Sequence, residues 1–535
     1  MRPRAFAAGA CAALVALAIA YTGLRWGVLV AGGSDSYGYI SQAELWRRGT
    51  LTVQQPIVRP TPWPRAAETW TPLGYRPSPH VRDAYVPMYA PGLPLLMAAA
   101  QAIAGFCGAF AVVPICGALT VWLTFVLGRR LFDPPRIAVA GAMLVAASPV
   151  FLYQLINAMS DVPATASWTL ALVLAVTRRP FASGLAMAVA IAIRPNLAPL
   201  AAVIAAWMWL SEAAGERWHS LLRFAAGTAP AVIVIASLNA RLYESPFTSG
   251  YGATADLYSL QHVAANLRNY ASSLAEVETP IVALSVLYIA IPAMGRPPRL
   301  IGARLLAGGT MAAMVLSYAF YQPFDVWWYL RFLLPMWPAM MLATAAAIDA
   351  IARSVQGPEN RPAFAAVAMA MIVVLLATHH LRMAAARGVF DLGRTERKYV
   401  DVARWIADHT ERDAVILSHQ HSGSLRLYAG RLTLRFDILE PEWLDRALAW
   451  LQSTGHHPYI LLDGDEVVRF RARFGNSSAW ALTAAPIGEL NDVVFVYDAR
   501  RAEPSRLPLA IASTRGSRCV FAYDSPPASR RPPSP

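Results

Sequence analysis

Residues 32–50 read GGSDSYGYISQAELWRRGT. They follow an apolar run that starts near Ala5, so they stand where a membrane-crossing helix ends. A plain anchor ends in a belt of Trp and Tyr with basic residues. This one ends in Asp35, followed by Tyr37, Tyr39, Glu44 and Arg47. An ionised carboxylate at the edge of a bilayer needs water, a partner or a task.

The rest of the chain has the composition of a membrane protein. Of 535 residues, 56% are hydrophobic and 15% charged, where soluble domains carry about 25% charged residues. Apolar runs separated by short arginine-containing turns recur to about residue 378, and at roughly 17–25 residues per crossing they predict about eleven spans. The formal net charge is +13 and Lys398 is the only lysine, so the basicity is arginine. The arginines fall in turns between apolar runs, as the positive-inside rule requires, and this argues against nucleic-acid binding. Four cysteines, Cys11, Cys107, Cys116 and Cys519, show no CxxC or metal spacing, so neither a disulfide framework nor a zinc site is expected. The first apolar run is long for a secretory signal and reads as an uncleaved span.

Charge also assigns the sides. Arg2 and Arg4 place the N-terminus in the cytoplasm, so Asp35 emerges outside at the head of a polar loop, 34–88. The stretch 90–127 reads as a short interfacial segment plus one crossing, which puts GRRLFDPPR (128–136) inside. Regular alternation follows, with NAMSDVP, RPN (194–196), the 239–252 segment and YQPFDVWWYLR outside. The chain beyond 378 then lies outside. There, residues 395–500 alternate buried strands (AVILS, YILLD, VVFVYD) with amphipathic helices, which predicts a small α/β layer domain. The fold class expected is therefore an α-helical polytopic membrane protein, residues 1–380, with a small C-terminal extracytoplasmic α/β domain. Residues 502–535, rich in Pro, Ser and Arg, read as a disordered tail.

The outer turns carry the candidate chemistry. Asp35 and Asp161 each stand at the outer end of a span, Arg194 lies between two short apolar segments, and Asp325 and Arg331 flank VWWYL. Each has a plainer reading: Asp161 suits a helix N-cap before a proline, the arginines suit interfacial snorkelling, and Tyr37, Tyr39, Trp327 and Trp328 suit an aromatic belt. His419 and His421 sit close in sequence without further ligands. If the turns converge, two guanidinium groups facing one cavity suit a phosphate. A carboxylate beside them suits deprotonation of an attacking hydroxyl, and grooves between spans suit a polyprenyl tail.

Taken in order, SDSYGYISQAELWRRG (34–49), YVPMYAPGLPLLMA (85–98), GRRLFDP (128–134), NAMSDVPATASWTLAL (157–172), AIAIRPNLAPL (190–200), NARLYESPFTSGY (239–251) and WWYLRFLLPMWPAM (327–340) resemble the polytopic GT-C-type glycosyltransferases. The likeness is to their bacterial protein-mannosyltransferase-like group. The resemblance implies an enzyme of the bacterial inner membrane that uses a polyprenyl-phosphate sugar and a glycan, lipid or protein acceptor in a single inverting displacement. Asp35 would be the general base and Asp161 would orient acceptor or base. Arg194 and Arg331 would hold the phosphate, with Tyr37, Tyr85 and Asp325 completing the substrate site. Ser36 stands where many members carry a second acidic residue. A divalent metal is left open, though the sparse acidic set leans against one. A lipid-linked-sugar flippase or a non-catalytic scaffold are the alternatives. A transporter calls for mid-span charges and inverted repeats, and the sequence has few of the former and no evident repeat.

Overall fold

A computed structural model describes residues 3–252, 257–290, 298–354, 362–477, 485–500, 509–512 and 519–520. Five helices are long and apolar enough to cross a membrane: Phe6–Trp26, Phe106–Leu131, Arg217–Leu242, Trp327–Ser354 and Ala363–Ala386. Two bent pairs, Pro135–Ala147 with Pro149–Ile156 and Leu260–Val277 with Pro280–Ala290, bring the number to seven if each is one span. Four shorter apolar helices, Gly92–Ala104, Asp161–Val176, Pro180–Ile193 and Pro195–Ser211, pack among them. Val263–Val277 is a helix in a stretch where the apolar pattern predicts a loop. Its apolar residues cover only one face, so it lacks the continuous run by which spans are recognised.

The bends fall where proline removes a donor from the backbone ladder. At Ser148–Pro149 the Ser148 hydroxyl accepts from the Phe151 N–H at 3.2 Å and from Trp337 Nε1 at 2.9 Å. Ser148 also bonds Glu278, the residue before the second break. In an apolar interior such groups need partners within the protein, and here the two breaks supply each other.

Residues of the 34–88 loop form a three-stranded antiparallel sheet, β1 (Val53–Gln54), β2 (Tyr75–Pro77) and β3 (Ala84–Pro87), in the order β1-β3-β2. The C-terminal region builds a six-stranded mixed sheet from β4 (Val415–Leu417), β5 (Leu432–Leu434), β6 (Pro458–Asp463), β7 (Gly488–Leu490), β8 (Val494–Asp498) and β9 (Leu509–Ala510). Their order is β5-β4-β6-β8-β7-β9. AVILS, YILLD and VVFVYD supply β4, β6 and β8. β6 is buried along its whole length, as expected of a strand covered on both faces. Helices Lys398–His409, Leu444–Ser453 and Gly464–Phe474 pack with the sheet; the last opens on a capping box between Asp463 and Glu466.

The 34–88 loop and this sheet share one core. Trp63 and Trp70 lie in the same apolar cluster as Phe436, Leu444 and Leu448, and the Trp63 and Trp450 rings meet edge to face at 5.3 Å. Arg426 donates to Gln55 Oε1 at 2.8 Å and to the Trp70 carbonyl at 2.5 Å. The loop is therefore a structural part of the C-terminal layer as much as of the helical bundle.

Two expectations about the end of the chain are corrected. Cys107 and Cys519 form a disulfide across 412 residues, a pairing that local spacing cannot encode. Leu509–Ala510 joins β7 as a parallel strand, so the segment past residue 502 is not uniformly without structure; its other residues, 501–508, 513–518 and 521–535, lie outside the described set. The disulfide also marks one end of the bundle. Cys107 starts the Phe106–Leu131 helix, and Arg129 and Arg130 stand roughly 35 Å away at its other end, at 1.5 Å per residue. At that far end the buried Asp349 carboxylate accepts from Arg136 at 2.6 Å and pairs with Arg353 at 2.8 Å.

Candidate active site

Asp35 is the first residue of the helix Asp35–Arg47, where the free backbone N–H groups and the helix dipole favour a negative charge. Its Oδ1 accepts from the Tyr89 hydroxyl at 2.7 Å. Because that hydroxyl is spent on Asp35, the 2.8 Å contact between Ser34 Oγ and Tyr89 is donated by the serine. Asp35 Oδ2 accepts from Arg331 Nη1 at 3.1 Å. About a third of the side chain stays open (32%).

Asp161 likewise starts a helix, Asp161–Val176, but is only 2% exposed. Its Oδ1 accepts from Arg194 Nη1. Arg194 ends the helix Pro180–Ile193 in extended conformation, just before Pro195. Its Nη2 donates at 3.0 Å to the Tyr318 hydroxyl, which also accepts from Asn196 Nδ2. Tyr39 links the two halves by donating at 3.0 Å to Ser160, the neighbour of Asp161.

Both guanidinium groups lie on the ring of Phe332, Arg194 at 5.7 Å and Arg331 at 5.3 Å from its centroid. Asp35, Asp161, Arg194 and Arg331 thus line one cavity of about 920 Å³. Each arginine is neutralised by one aspartate and keeps N–H donors in reserve, since a guanidinium offers five. Arg331 Nε is buried with no hydrogen-bond partner among the described residues. The arrangement can hold an anion between two forks and present one carboxylate to it.

Tyr37, Tyr85 and Asp325 do not line the cavity. Helical periodicity explains the first: residues 35 and 39 share a face while 37 points elsewhere. Tyr37 packs with Tyr75 and Tyr85 against the C-terminal domain, where a Cβ on Gly423 would sit 2.2 Å from its ring. Burial pushes its phenol up, with Tyr85 adding to the rise and Arg426 and Ser41 offsetting part of it. Tyr85 lies on β3 under the Arg426 guanidinium, 5.5 Å from its ring centroid. Asp325 is exposed in the segment before the 3₁₀ run Trp327–Met336.

Several lining residues escaped sequence reading. Tyr39 read as belt. Tyr89 and Tyr318 sit in apolar surroundings that carry no local signal of a polar role. Glu396 follows the last apolar helix and lines the cavity as well. No three His, Cys, Asp or Glu among the described residues converge as a metal site. Asp35 spends its oxygens on Tyr89 and Arg331 and Asp161 binds Arg194, so this donor set does not fit a divalent ion.

The family model described as dolichyl-phosphate-mannose-protein mannosyltransferase matches residues 88–239. No curated protein sequence matches the chain. Among solved structures, ArnT from Cupriavidus metallidurans bound to undecaprenyl phosphate superposes with a TM-score of 0.57 at 13% identity, covering 92% of this chain and 98% of that one. The Archaeoglobus fulgidus oligosaccharyltransferase AglB, in complex with an inhibitory peptide and a dolichol-phosphate, gives a TM-score of 0.57 at 12% identity, over 88% of this chain and 71% of its own. At these identities the likeness is one of fold.

Proposed function

Starting from a chain with the fold of the GT-C glycosyltransferases, we propose that it transfers a sugar from a polyprenyl-phosphate donor to a hydroxyl acceptor, with inversion, on the extracytoplasmic face. The observation that carries this reading is the Asp35–Arg331 pair facing Arg194 across one cavity. Asp35 takes the acceptor proton as the hydroxyl oxygen attacks the anomeric carbon. The bond from that carbon to the phosphate oxygen breaks, and the electron pair leaves with the phosphate. The spare N–H donors of Arg194 and Arg331 take up its charge in planar, two-pronged contacts. The nearby carboxylates favour the positive charge that develops on the sugar ring. Asp161 acts one step back, holding Arg194 in place.

The side assignment has two supports. A disulfide at the cavity end belongs in an oxidising compartment, and the arginines of the opposite end satisfy the positive-inside rule.

The test is binding and turnover on the purified chain. Native mass spectrometry is expected to show retention of undecaprenyl phosphate over undecaprenol. Asp35→Asn should keep fold and expression yet lower transfer by about 10²–10⁴-fold, the range for a lost general base, read as loss of the glycan product in the cell envelope of a complemented deletion strain. Equal retention of phosphate and alcohol, or full transfer by the Asp35→Asn protein, overturns the reading.

A further inference from the structure

The segment joining the last long helix to the C-terminal domain does more than connect them. Glu396 ends the short helix Leu392–Thr395 and lines the same cavity as Asp35. Its carboxylate makes no hydrogen bond to another side chain, and no ion pair, among the described residues. The cations next along the chain are committed elsewhere, Arg397 to Asp401 at 3.9 Å and Lys398 to Asp463 Oδ2 at 2.7 Å. Burial raises the Glu396 carboxyl above the ordinary range, with Lys398 and His421 pulling against the rise.

The carboxylate is held on purpose-built supports. Three residues on, the Tyr399 ring lies against Gly32, where a Cβ would come within 2.2 Å of it. Asp35 lies three residues beyond Gly32, so both carboxylates are tied to one contact. On its other side the Tyr399 ring meets that of His421, inclined at 41°, with centroids 4.5 Å apart, and His421 Nε2 reaches Asp463 Oδ1 at 3.0 Å. Lys398, Tyr399, His421 and Asp463 thereby clamp the segment to the C-terminal sheet.

Tyr153, which lines the same cavity as Glu396, belongs to an aromatic platform. The Tyr153 and Trp328 rings stack at 5.7 Å and 6°, and Tyr153 lies within electrostatic range of both Glu396 and Arg331. Asn157, also lining the cavity, donates to the Tyr153 carbonyl at 2.8 Å and keeps its own amide oxygen free of that bond. A carboxylate, an amide and a flat aromatic surface are what a sugar ring asks for: acceptors for its hydroxyls and a face for its C–H side.

Building on the reading of the site as a glycosyltransferase centre, we propose that Glu396, Asn157 and Tyr153 form the subsite for the acceptor sugar ring, beside the Asp35–Arg331 pair. A carboxylate there disfavours the phosphate-bearing donor, which leaves the uncharged ring as the occupant. The C-terminal domain then serves catalysis by positioning Glu396.

Two arms test this on the detergent-purified full chain. Saturation-transfer NMR with methyl α-mannopyranoside and methyl α-arabinofuranoside, on protein loaded with undecaprenyl phosphate, reads the ring subsite. Native mass spectrometry with undecaprenyl phosphate reads the phosphate site. Wild type is expected to bind at least one glycoside, and Glu396→Ala and the isosteric Glu396→Gln to weaken that binding about tenfold, as for one lost hydrogen bond to a charged group. Undecaprenyl phosphate affinity is expected to be unchanged in both. Undiminished glycoside binding in the variants, an equal loss of undecaprenyl phosphate binding, or no glycoside binding by wild type overturns the proposal. Failure of wild type to prefer undecaprenyl phosphate over undecaprenol would instead count against the transferase reading, since that arm does not involve Glu396.

Discussion

At Asp161 two charges have been taken almost wholly out of water, the aspartate being 2% exposed and the Arg194 side chain 10%. Such a pair gains little net stability over an apolar substitute, but removing one partner strands the other at a cost of about 3–5 kcal/mol. Asp161→Ala is therefore expected to lower the melting temperature of the detergent-purified protein and its yield, and an unchanged melt would show that Arg194 finds another partner. Asp35 is one-third open and set at a helix terminus, and Asp35→Asn keeps an acceptor for Arg331, so that substitution is expected to report on the proposed transfer more than on folding. Tyr37 supplies the contrast. Its ring faces Gly423 and not the cavity, so Tyr37→Phe should leave transfer within about twofold of wild type, as for changes away from a shared site. A collapse of transfer in that variant would put Tyr37 back into the site. The residue types at the site were legible in the sequence. Which tyrosine of Tyr37 and Tyr39 faces the cavity follows from the helical phase of Asp35–Arg47, a phase visible only once that segment is known to be a helix.

The helices that carry the site are set by close approaches. Gly92, at the start of Gly92–Ala104, touches the backbone immediately before Arg194: a Cβ there would lie 2.5 Å from Ala192 C and from Ile193 N. Gly92→Ala must push the two helices apart and carry Arg194 with them. A displacement near 1 Å can cost about 10²-fold in rate, so transfer is expected to fall strongly while the protein still inserts and purifies. Transfer at wild-type rate would mean that Arg194 tolerates the shift. The breaks at Pro149 and Pro280 are of the same kind. Prolines announce them in sequence, but their mutual repair through Ser148, Glu278 and Trp337 joins residues 130 and 189 positions apart. For that reason apolar runs locate the helices well, and bent pairs remain ambiguous between one span and two.

Across the whole molecule the C-terminal sheet and the bundle meet at a clamp with a pH signature. Burial alone would raise the Asp463 carboxyl, but His421 and Lys398 outweigh it and hold it down to about 2, against about 3.9 in an unfolded chain. A depressed carboxyl contributes stability above its unfolded value and loses it as the pH falls toward its folded one. Thermal stability is thus expected to decline from about pH 4 toward pH 2, and Asp463→Asn to flatten part of that decline at the expense of stability near neutrality. An identical acid profile in both proteins would remove the clamp from the account. The disulfide between Cys107 and Cys519 adds a covalent tie between the same bodies.

Sequence alone determined the membrane-type composition and the placement of most apolar helices, and it pointed to strands in 395–500 and to Asp35, Asp161, Arg194 and Arg331, which line one cavity. These are local properties: hydrophobic runs, two- and 3.6-residue periods, and the sign of charge in turns are all written within a few residues. Tertiary structure decided which charges pair, Asp35 with Arg331 and Asp161 with Arg194. It also decided that Tyr37, Tyr85 and Asp325 stand apart, that Cys519 reaches back to Cys107, and that Glu396 enters the cavity. Each of those is a contact, or a missing contact, between segments far apart in the chain, chosen by how helices and sheet pack, and no local pattern of residues specifies it.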